Sequence, residues 1–267
     1  MKIARLSNQP FLIEDDHHGR VIQNYEKIEE AALQAKSNLV LGELVEFDVN
    51  QLQAPVKSPS QILAVGMNYA DHSKEIHLNL PKTPSTFTKF ASSLADPNTK
   101  VKCHGPRTDW ETELVLVIGK SGRNISEQNA SSYLAGYMVG EDISDRDVQF
   151  ANQSAQFSLG KSFEHYSPTG PWLTTPDEIE DLEKLEITTQ VNNQTVQQAP
   201  LGQMVFNPSA LISYYSSIIE LQPGNLIFTG TPSGTGVGHD PEIYLKQGDL
   251  LTGQISKLGQ LTMNIID

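Results

Sequence analysis

The stretch DWETELVLVI, residues 109–118, places three acidic side chains at alternate positions directly before an unbroken apolar run. Alternate residues of a β-strand project from one face, so Asp109, Glu111 and Glu113 are predicted to share a face. Neighbouring carboxylates would stand about 7 Å apart, given a rise of roughly 3.3 Å per residue. The apolar run at residues 115–118 is typical of a strand buried on both faces. The acids are therefore predicted to lie at the edge of a hydrophobic core.

Short segments of this kind recur along most of the chain and predict a fold dominated by strands. They are rich in β-branched, aromatic and aliphatic residues and are bounded by Gly, Pro or Asn. They lie at residues 61–66, 86–90, 111–118, 137–139, 186–191 and 225–228. Asn192-Asn193 and Leu258-Gly259 each separate two β-prone runs and predict hairpins. Strands joined by turns, without regular alternation with helices, predict a mainly β (α+β) sandwich or roll rather than a doubly wound sheet.

Helical patterns and a break in periodicity suggest how the chain is divided. Helices are predicted at residues 25–34, 126–134 and 208–220, the last with Pro208 in its first turn. Proline and serine accumulate between residues 51 and 60 without apolar periodicity, which favours a boundary there. We predict a small N-terminal α/β subdomain over residues 1–57 and a catalytic β-roll domain over residues 58–267.

The composition restricts the class of protein and its partners. The 267 residues are 38% hydrophobic and 19% charged, which predicts a globular core. No run approaches the about 18 apolar residues of a membrane span, and the first residues lack the apolar centre of a secretory signal, so we expect a cytoplasmic protein. A formal net charge of −13 argues against nucleic-acid binding. The single Cys103, beside His104, has no second Cys/His pair at zinc-site spacing, and both are expected to be structural.

A second acidic segment strengthens the case for a metal site. Glu141-Asp142 ends the strand-like run that begins at residue 137. Gathering like charges raises the energy of their ionised state unless a cation lies among them. Glu111 and Glu113 from one strand, with Asp142 from another segment, offer the hard oxygen ligands that Mg²⁺ prefers. Taken alone, residues 109–113 would be explained equally well as a solvated strand face.

Five motifs stand in order along the chain: VGMNYADH at 65–72, DWETE at 109–113, GYMVGEDISDRD at 136–147, GKSFEHYSPTGP at 160–171 and TGTPSG at 229–234. Together they resemble the fumarylacetoacetate hydrolase family, specifically its short acylpyruvase-like branch. The resemblance covers about residues 58–255. It implies a mixed β-sandwich roll, a homodimer, and Mg²⁺ or Mn²⁺ bound by Glu111, Glu113 and Asp142.

The same resemblance implies catalytic roles for three other residues. Lys161 would be a fixed cation beside the metal that stabilises charge developing on substrate oxygens. His72 and Glu75, three residues apart and so adjacent on one helical turn, match a pair on a short lid. A carboxylate that orients an imidazole makes it a better base for activating water.

Further positions match substrate contacts of the family. Arg146 and Gln149 match residues that bind substrate oxygens, although pairing of Arg146 with an acidic neighbour in the chain is an equal alternative. Gly230 and Thr231 belong to a glycine-rich loop at residues 228–238 that lacks the Lys-Ser/Thr of a phosphate loop. Its backbone N–H groups and the Thr231 hydroxyl are candidates to hold a carboxylate.

Three positions depart from the family pattern and leave the substrate open. Met67 stands where a longer basic or another apolar residue is common, Glu141 where Asn usually precedes the ligand aspartate, and Asn225 where Pro-Gly-Asp is typical. Glu141 adds a negative charge beside the metal, and Met67 predicts an apolar wall of the substrate pocket.

The resemblance implies small 2-oxo or 2,4-dioxo carboxylic acids as substrates. The first hypothesis is a divalent-metal-dependent hydrolase that cleaves a C–C bond in acylpyruvates through a stabilised enolate. Oxaloacetate decarboxylation, or isomerisation or hydration of 2-oxo and 2-hydroxy dienoic acids, is the alternative on the same scaffold. His72 and Glu75 favour hydrolysis, because decarboxylation needs no activated water. A non-catalytic metal-binding protein is a further hypothesis, and a cupin-type site is disfavoured because it would require several histidines.

Overall fold

Three sheets form the framework of residues 1–70 and 81–267, the part of the chain that this computed structural model describes. The strands are β1 (Lys2–Leu6), β2 (Gln9–Ile13), β3 (His18–Val21), β4 (Val45–Glu46), β5 (Leu52–Gln53), β6 (Ile62–Gly66), β7 (Ser85–Thr88), β8 (Leu94–Ala95), β9 (Asn98–Lys102), β10 (Thr108–Asp109), β11 (Thr112–Ile118), β12 (Leu134–Glu141), β13 (Ser144–Asp145), β14 (Ser167–Thr174), β15 (Glu186–Val191), β16 (Gln194–Pro200), β17 (Leu226–Phe228), β18 (Leu250–Ile255) and β19 (Gly259–Ile266).

The described helices are few and short. The α-helices are α1 (Ile28–Ala31), α2 (Arg146–Gln149), α3 (Phe157–Gly160) and α4 (Pro208–Ile218). The 3₁₀ helices are Lys36–Asn38, Val49–Gln51, Ala91–Ser93, Glu127–Tyr133, Pro176–Glu178, Leu182–Lys184, Leu201–Gln203 and Gly236–Gly238. No helix in the described part of the chain is long and apolar enough to cross a bilayer.

The apolar run of β11 lies in the middle of the largest sheet, between β12 and β17. All of its residues are buried. Leu114, Leu116 and Ile118 belong to one hydrophobic cluster, whereas Val115 and Val117 belong to a second cluster on the other face. Because successive side chains of a strand alternate between faces, a strand with a core on each side must be apolar at every position. This explains why the run is unbroken.

The sheets are mixed and pack as the predicted sandwich roll. The largest has the order β4-β3-β2-β1-β14-β12-β11-β17-β6-β7, with β5 added on β1 and β8 on β14. Its β17–β6 and β14–β8 pairs are parallel, and the other pairs are antiparallel. A five-stranded sheet, β16-β15-β18-β19-β9, shares the first cluster with β11 through Ile187 and Leu251. The mainly β fold class is confirmed.

The two predicted hairpins and the start of the helix at Pro208 are confirmed, whereas two other helix predictions are only partly met. Asn192 and Asn193 connect β15 to β16 with φ of 52° and 65°, the left-handed values that a tight hairpin turn requires. β18 and β19 form the second hairpin. Helix α4 begins at Pro208 and is capped by the Asn207 side chain, which accepts a hydrogen bond from Ala210 N. The helix predicted at 25–34 is shorter, and the one at 126–134 is a 3₁₀ helix.

Residues 1–57 continue the large sheet rather than standing apart from it. β1 pairs antiparallel with β14, with Lys2 opposite Thr174. The Arg5 guanidinium is buried and donates to the carbonyl oxygens of Ala54 and Pro55. The boundary between residues 57 and 58 stays a prediction.

Candidate metal centre and active site

Three carboxylates at the adjoining ends of β11 and β12 meet at one end of the large sheet. Ligand oxygens of Glu111, Glu113 and Asp142 all lie within 4.8 Å of one another, and all three residues are buried. Antiparallel pairing of β11 with β12 brings them together, because it sets Thr112 opposite Glu141 and Asp142 N donates to Glu111 O at 2.8 Å. The structure thus assembles the three residues that the sequence analysis proposed as metal ligands.

The charge balance of this cluster fits a divalent cation. Glu113 is 1% exposed, and its described hydrogen bond comes from Gly230 N, 2.7 Å from Oε2. Burial, reinforced by the charges of Asp142 and Glu111, raises the pKa of Glu113 well above its ordinary value. A cation among the three carboxylates would remove this penalty. Three hard oxygen donors suit Mg²⁺ or Mn²⁺, with further coordination positions left for water or substrate.

Lys161 joins the cluster, as the sequence analysis proposed. Its Nζ lies 2.8 Å from Asp142 Oδ2 and 2.9 Å from Glu111 Oε2, and it donates to Ser144 Oγ at 2.7 Å. Burial lowers the pKa of Lys161, but the two ion pairs outweigh burial and the net pKa is raised. The ammonium is therefore a permanent positive charge beside the candidate metal site.

Lys89 is a second buried lysine in the site, and sequence reasoning missed it. Its Nζ contacts Asp142 Oδ1 and donates to the Tyr166 carbonyl at 3.0 Å. Burial lowers the pKa of Lys89, against the opposing effect of Asp142. A lysine within the strand predicted at residues 86–90 was the available clue, since a charge in a buried strand needs a partner.

Asp109 does not face the metal cluster, contrary to the alternation predicted for residues 109–113. Strand β10 ends at Asp109 and β11 begins at Thr112, so regular alternation does not hold across the break. Its carboxylate accepts hydrogen bonds from Gly236 N at 2.6 Å and Val237 N at 3.0 Å. It also pairs with Arg146, whose Nε donates to Asp109 Oδ2 at 2.9 Å.

Arg146 connects Asp109 to the candidate metal ligands instead of pairing with its acidic neighbours in the chain. Its Nη2 lies 2.6 Å from Glu111 Oε1, and Nη1 donates to Gln149 Oε1 at 2.8 Å. Burial lowers the pKa of Arg146, but the charges of Asp109 and Glu111 outweigh it and raise the pKa above its ordinary value. Asp145 instead caps α2, accepting from Val148 N at 2.9 Å. Arg146 thus positions Glu111.

The other residues predicted to contact substrate differ in which of their hydrogen-bonding atoms already have a protein partner. Gln149 must turn its oxygen toward Arg146, which only donates, and within residues 1–70 and 81–267 its NH₂ group has no acceptor, so it can donate to a ligand. The Gly230 N–H is already bonded to Glu113, and the Thr231 hydroxyl donates to Thr112 O at 2.8 Å. These two donors therefore make hydrogen bonds within the protein in this structure.

A cavity of about 630 Å³ opens onto these groups. Its polar lining includes Glu111, Arg146, Gln149, Lys161 and Thr231, and its apolar lining includes Val65, Met67, Phe87, Phe150, Phe157 and Val237. The apolar wall predicted from Met67 is present. Met67 has a φ of 60°, a left-handed conformation that is uncommon for residues other than glycine. His72 and Glu75 lie outside the described residues, and their lid role stays a prediction.

Glu141 lies behind the cluster and is fully buried. Its Oε2 accepts a hydrogen bond from Thr112 Oγ1 at 2.8 Å, and its Oε1 accepts one from Glu111 N at 2.7 Å. Thr189 Oγ1 lies 2.7 Å from both Thr112 Oγ1 and Gln197 Oε1, which connects Glu141 to the five-stranded sheet. Burial raises the pKa of Glu141 to about 8, against the lowering effect of its two hydrogen bonds.

Similarity to known proteins assigns the chain to a family. The model described as Fumarylacetoacetate (FAA) hydrolase C-terminal matches residues 61–266. The chain belongs to the fumarylacetoacetate hydrolase family. Oxaloacetate tautomerase fahd2, mitochondrial, from Xenopus laevis is 41% identical over 241 residues, which are 89% of this chain and 76% of that protein. Oxaloacetate tautomerase FAHD2A, mitochondrial, from Homo sapiens is 40% identical over 215 residues, or 80% and 68%.

Solved structures of family members share the whole fold. A candidate HpcE protein from Mycobacterium smegmatis superposes with a TM-score of 0.91 at 36% identity, covering 100% of this chain and 99% of that one. 5-carboxymethyl-2-hydroxymuconate delta-isomerase from the same organism gives a TM-score of 0.83 at 26% identity, with 100% and 99% coverage. Tautomerase and isomerase names agree with the alternative drawn from the sequence, and acylpyruvate hydrolysis stays a prediction.

The metal-ligand assignment predicts a binding defect in Glu111→Gln. Replacing a carboxylate by a neutral amide removes a charged ligand, so Mn²⁺ affinity measured by calorimetry should fall by more than about 10-fold. Glu164→Gln is the matched control, because that side chain is 83% exposed. Unchanged Mn²⁺ affinity in a folded Glu111→Gln protein would contradict the assignment.

Glu141→Gln should flatten the pH dependence of stability. The folded protein holds the Glu141 proton up to about pH 8, whereas the unfolded chain releases it near 4.5, so this group makes stability fall as pH rises between these values. The slope is about 1.4 kcal/mol per pH unit. A glutamine can accept from Glu111 N and donate to Thr112 Oγ1. The free energy of unfolding is measured with urea in EDTA at pH values below and above this range. It should fall less with rising pH in the variant than in the wild type. Parallel pH profiles of the two proteins would contradict a protonated Glu141.

Proposed function

We propose that this protein is a metal-dependent tautomerase that interconverts the keto and enol forms of a small 2-oxo diacid, with oxaloacetate as the first substrate to test. The observation that carries the proposal is the buried carboxylate triad held against Lys161 beside the available amide of Gln149. The relatives named oxaloacetate tautomerase, which are 40–41% identical to this chain, support the choice of substrate.

The residues of the site match the charge of such a substrate. Mg²⁺ or Mn²⁺ held by Glu111, Glu113 and Asp142 would supply Lewis acidity toward the oxygens of a 2-oxo acid. Lys161 adds a preorganised positive charge where enolate charge develops. Gln149 donates its N–H groups to a substrate oxygen, and Arg146 keeps both Gln149 and Glu111 in place.

The reaction needs one group that moves a proton and consumes no water. The C3–H bond breaks, its electron pair enters the enolate, and the proton is returned to the 2-oxygen to complete the enol. We propose His72, oriented by Glu75, as the base and acid for this transfer, because an imidazole with a carboxylate partner is suited to proton transfer near neutral pH. Both residues lie outside the described part of the chain.

Hydrolysis of acylpyruvates is a second candidate, favoured by the shape of the cavity. Its volume of about 630 Å³ lies in the range of sites for drug-sized ligands, and Phe87, Phe150 and Phe157 line it. An apolar acyl chain would contact these rings, whereas a four-carbon diacid would not need them. The His72 and Glu75 pair would then activate water. A homodimer and a cytoplasmic location remain proposals from the sequence.

An assay with both substrates tests the assignment. Freshly dissolved enol-oxaloacetate is followed by its ultraviolet absorbance with the protein and Mg²⁺, and acetylpyruvate is incubated in parallel while acetate and pyruvate are measured. We expect faster decay of the enol, abolished by EDTA, and no release of acetate. If acetate and pyruvate are released and tautomerisation is not accelerated, the tautomerase proposal is wrong and the protein is a hydrolase.

Lys161→Gln should slow the reaction without unfolding the protein. Loss of a fixed charge near a developing oxyanion is expected to lower kcat by roughly 100- to 1000-fold. Lys184→Met is the control, because that side chain is 83% exposed and lies on the surface. Activity of Lys161→Gln within a few-fold of the wild type would remove Lys161 from the catalytic machinery.

A further inference from the structure

Gln197 connects the five-stranded sheet to the active-site loop, although none of the sequence motifs contains it. It lies in β16 and is 1% exposed. Its Nε2 donates to Thr231 Oγ1 at 2.8 Å and to the Pro232 carbonyl at 2.7 Å. Its Oε1 accepts from Thr189 Oγ1 at 2.7 Å. One carboxamide therefore joins β15, β16 and the loop that follows β17.

The orientation of this amide is determined by its neighbours. The Pro232 carbonyl only accepts, so the NH₂ group must face it. Thr231 gives its hydroxyl hydrogen to Thr112 O at 2.8 Å and so accepts from Gln197. A side chain at this position must supply two donors on one side and an acceptor on the other, which a glutamine does and a glutamate does not.

This arrangement determines which loop donors remain for a ligand. The N–H of Gly230 is bonded to Glu113 Oε2, and Pro232 has no N–H. Among residues 1–70 and 81–267, none accepts from the backbone N–H of Thr231, a residue that lines the cavity. Free backbone N–H groups in a turn are suited to carboxylate binding.

We propose that Gln197 is a positioning residue for substrate carboxylate recognition. By holding Thr231 and Pro232 against β11, it presents the Thr231 N–H to the carboxylate of a 2-oxo acid. Gln197 itself touches neither the candidate metal ligands nor the substrate. The inference rests on the proposed function for its substrate class, but it concerns binding rather than turnover.

The test measures oxalate binding to the Mn²⁺-loaded wild type and variants by calorimetry. Oxalate is the probe because its two adjacent carboxylates mimic the carboxylate and the 2-oxo group of a small 2-oxo acid. Gln197→Leu and Gln197→Glu should weaken oxalate binding roughly 10- to 100-fold, as changes behind a binding site do, with Mn²⁺ affinity unchanged. With substrate, KM should rise more than kcat falls. Gln198→Leu is the matched control, because Gln198 is exposed and lies on the opposite face of β16.

A double-mutant cycle separates positioning from general destabilisation. Thr231→Val keeps the backbone N–H but breaks the hydrogen bond to Gln197. The double variant Thr231→Val/Gln197→Leu should therefore have the same oxalate affinity as whichever single variant binds oxalate less tightly. Additive losses would overturn the proposal, as would wild-type oxalate affinity in Gln197→Leu or absence of oxalate binding by the wild type. If the wild type does not tautomerise oxaloacetate while Gln197→Leu loses oxalate affinity, the proposed function fails and the inference stands.

Discussion

Repulsion among buried carboxylates is the constraint that organises this end of the molecule. The acids are Asp109, Glu111, Glu113, Glu141 and Asp142, and the buried cations placed among them are Lys89, Arg146 and Lys161. With Glu141 neutral, the other four acids when ionised carry four negative charges against three positive ones. The remaining negative charge, in a site with little water, favours a small divalent cation. Once that cation is bound the site carries a net positive charge, which suits an anionic substrate.

The hydrophobic framework makes such a charged site possible. β11 separates two apolar clusters, so its backbone is rigid directly beside Glu113. Asp109 then extends this rigidity to a loop, because it binds Gly236 N, Val237 N and Arg146 together. Gln197 does the same for the loop at Thr231. Glu111, Glu113 and Lys161 are therefore each held by a partner from a different segment, which preserves the geometry of the site.

Family membership and chemistry limit the function more tightly than the cavity does. Two of the proteins similar to this chain carry the names of an oxaloacetate tautomerase and a delta-isomerase. Tautomerisation, decarboxylation and acylpyruvate cleavage share an enolate. Tautomerisation breaks the C3–H bond, whereas the other two reactions break the C3–C4 bond, acylpyruvate cleavage only after water adds to C4. Under the proposed function the described residues would stabilise the enolate, and the groups that face C3 and C4 would decide which bond breaks. His72 and Glu75 are the proposed groups, so the distinction rests on them and on the chain's apolar lining at Phe87 and Phe150.

Short-range patterns were enough for the strand β11, the Asn192-Asn193 hairpin and the meeting of Glu111 and Glu113, because alternation and turn conformation depend on adjacent residues. The second acidic segment added Asp142, and the family resemblance added the role of Lys161. Only the tertiary structure decided that Asp109 turns to Arg146, that Lys89 contacts Asp142 and that Gln197 reaches Thr231. Those partners are 34 or more residues apart in the chain, and their hydrogen bonds leave no periodic mark in the sequence. The raised pKa of Glu141 likewise depends on burial, which arises only when the two sheets pack.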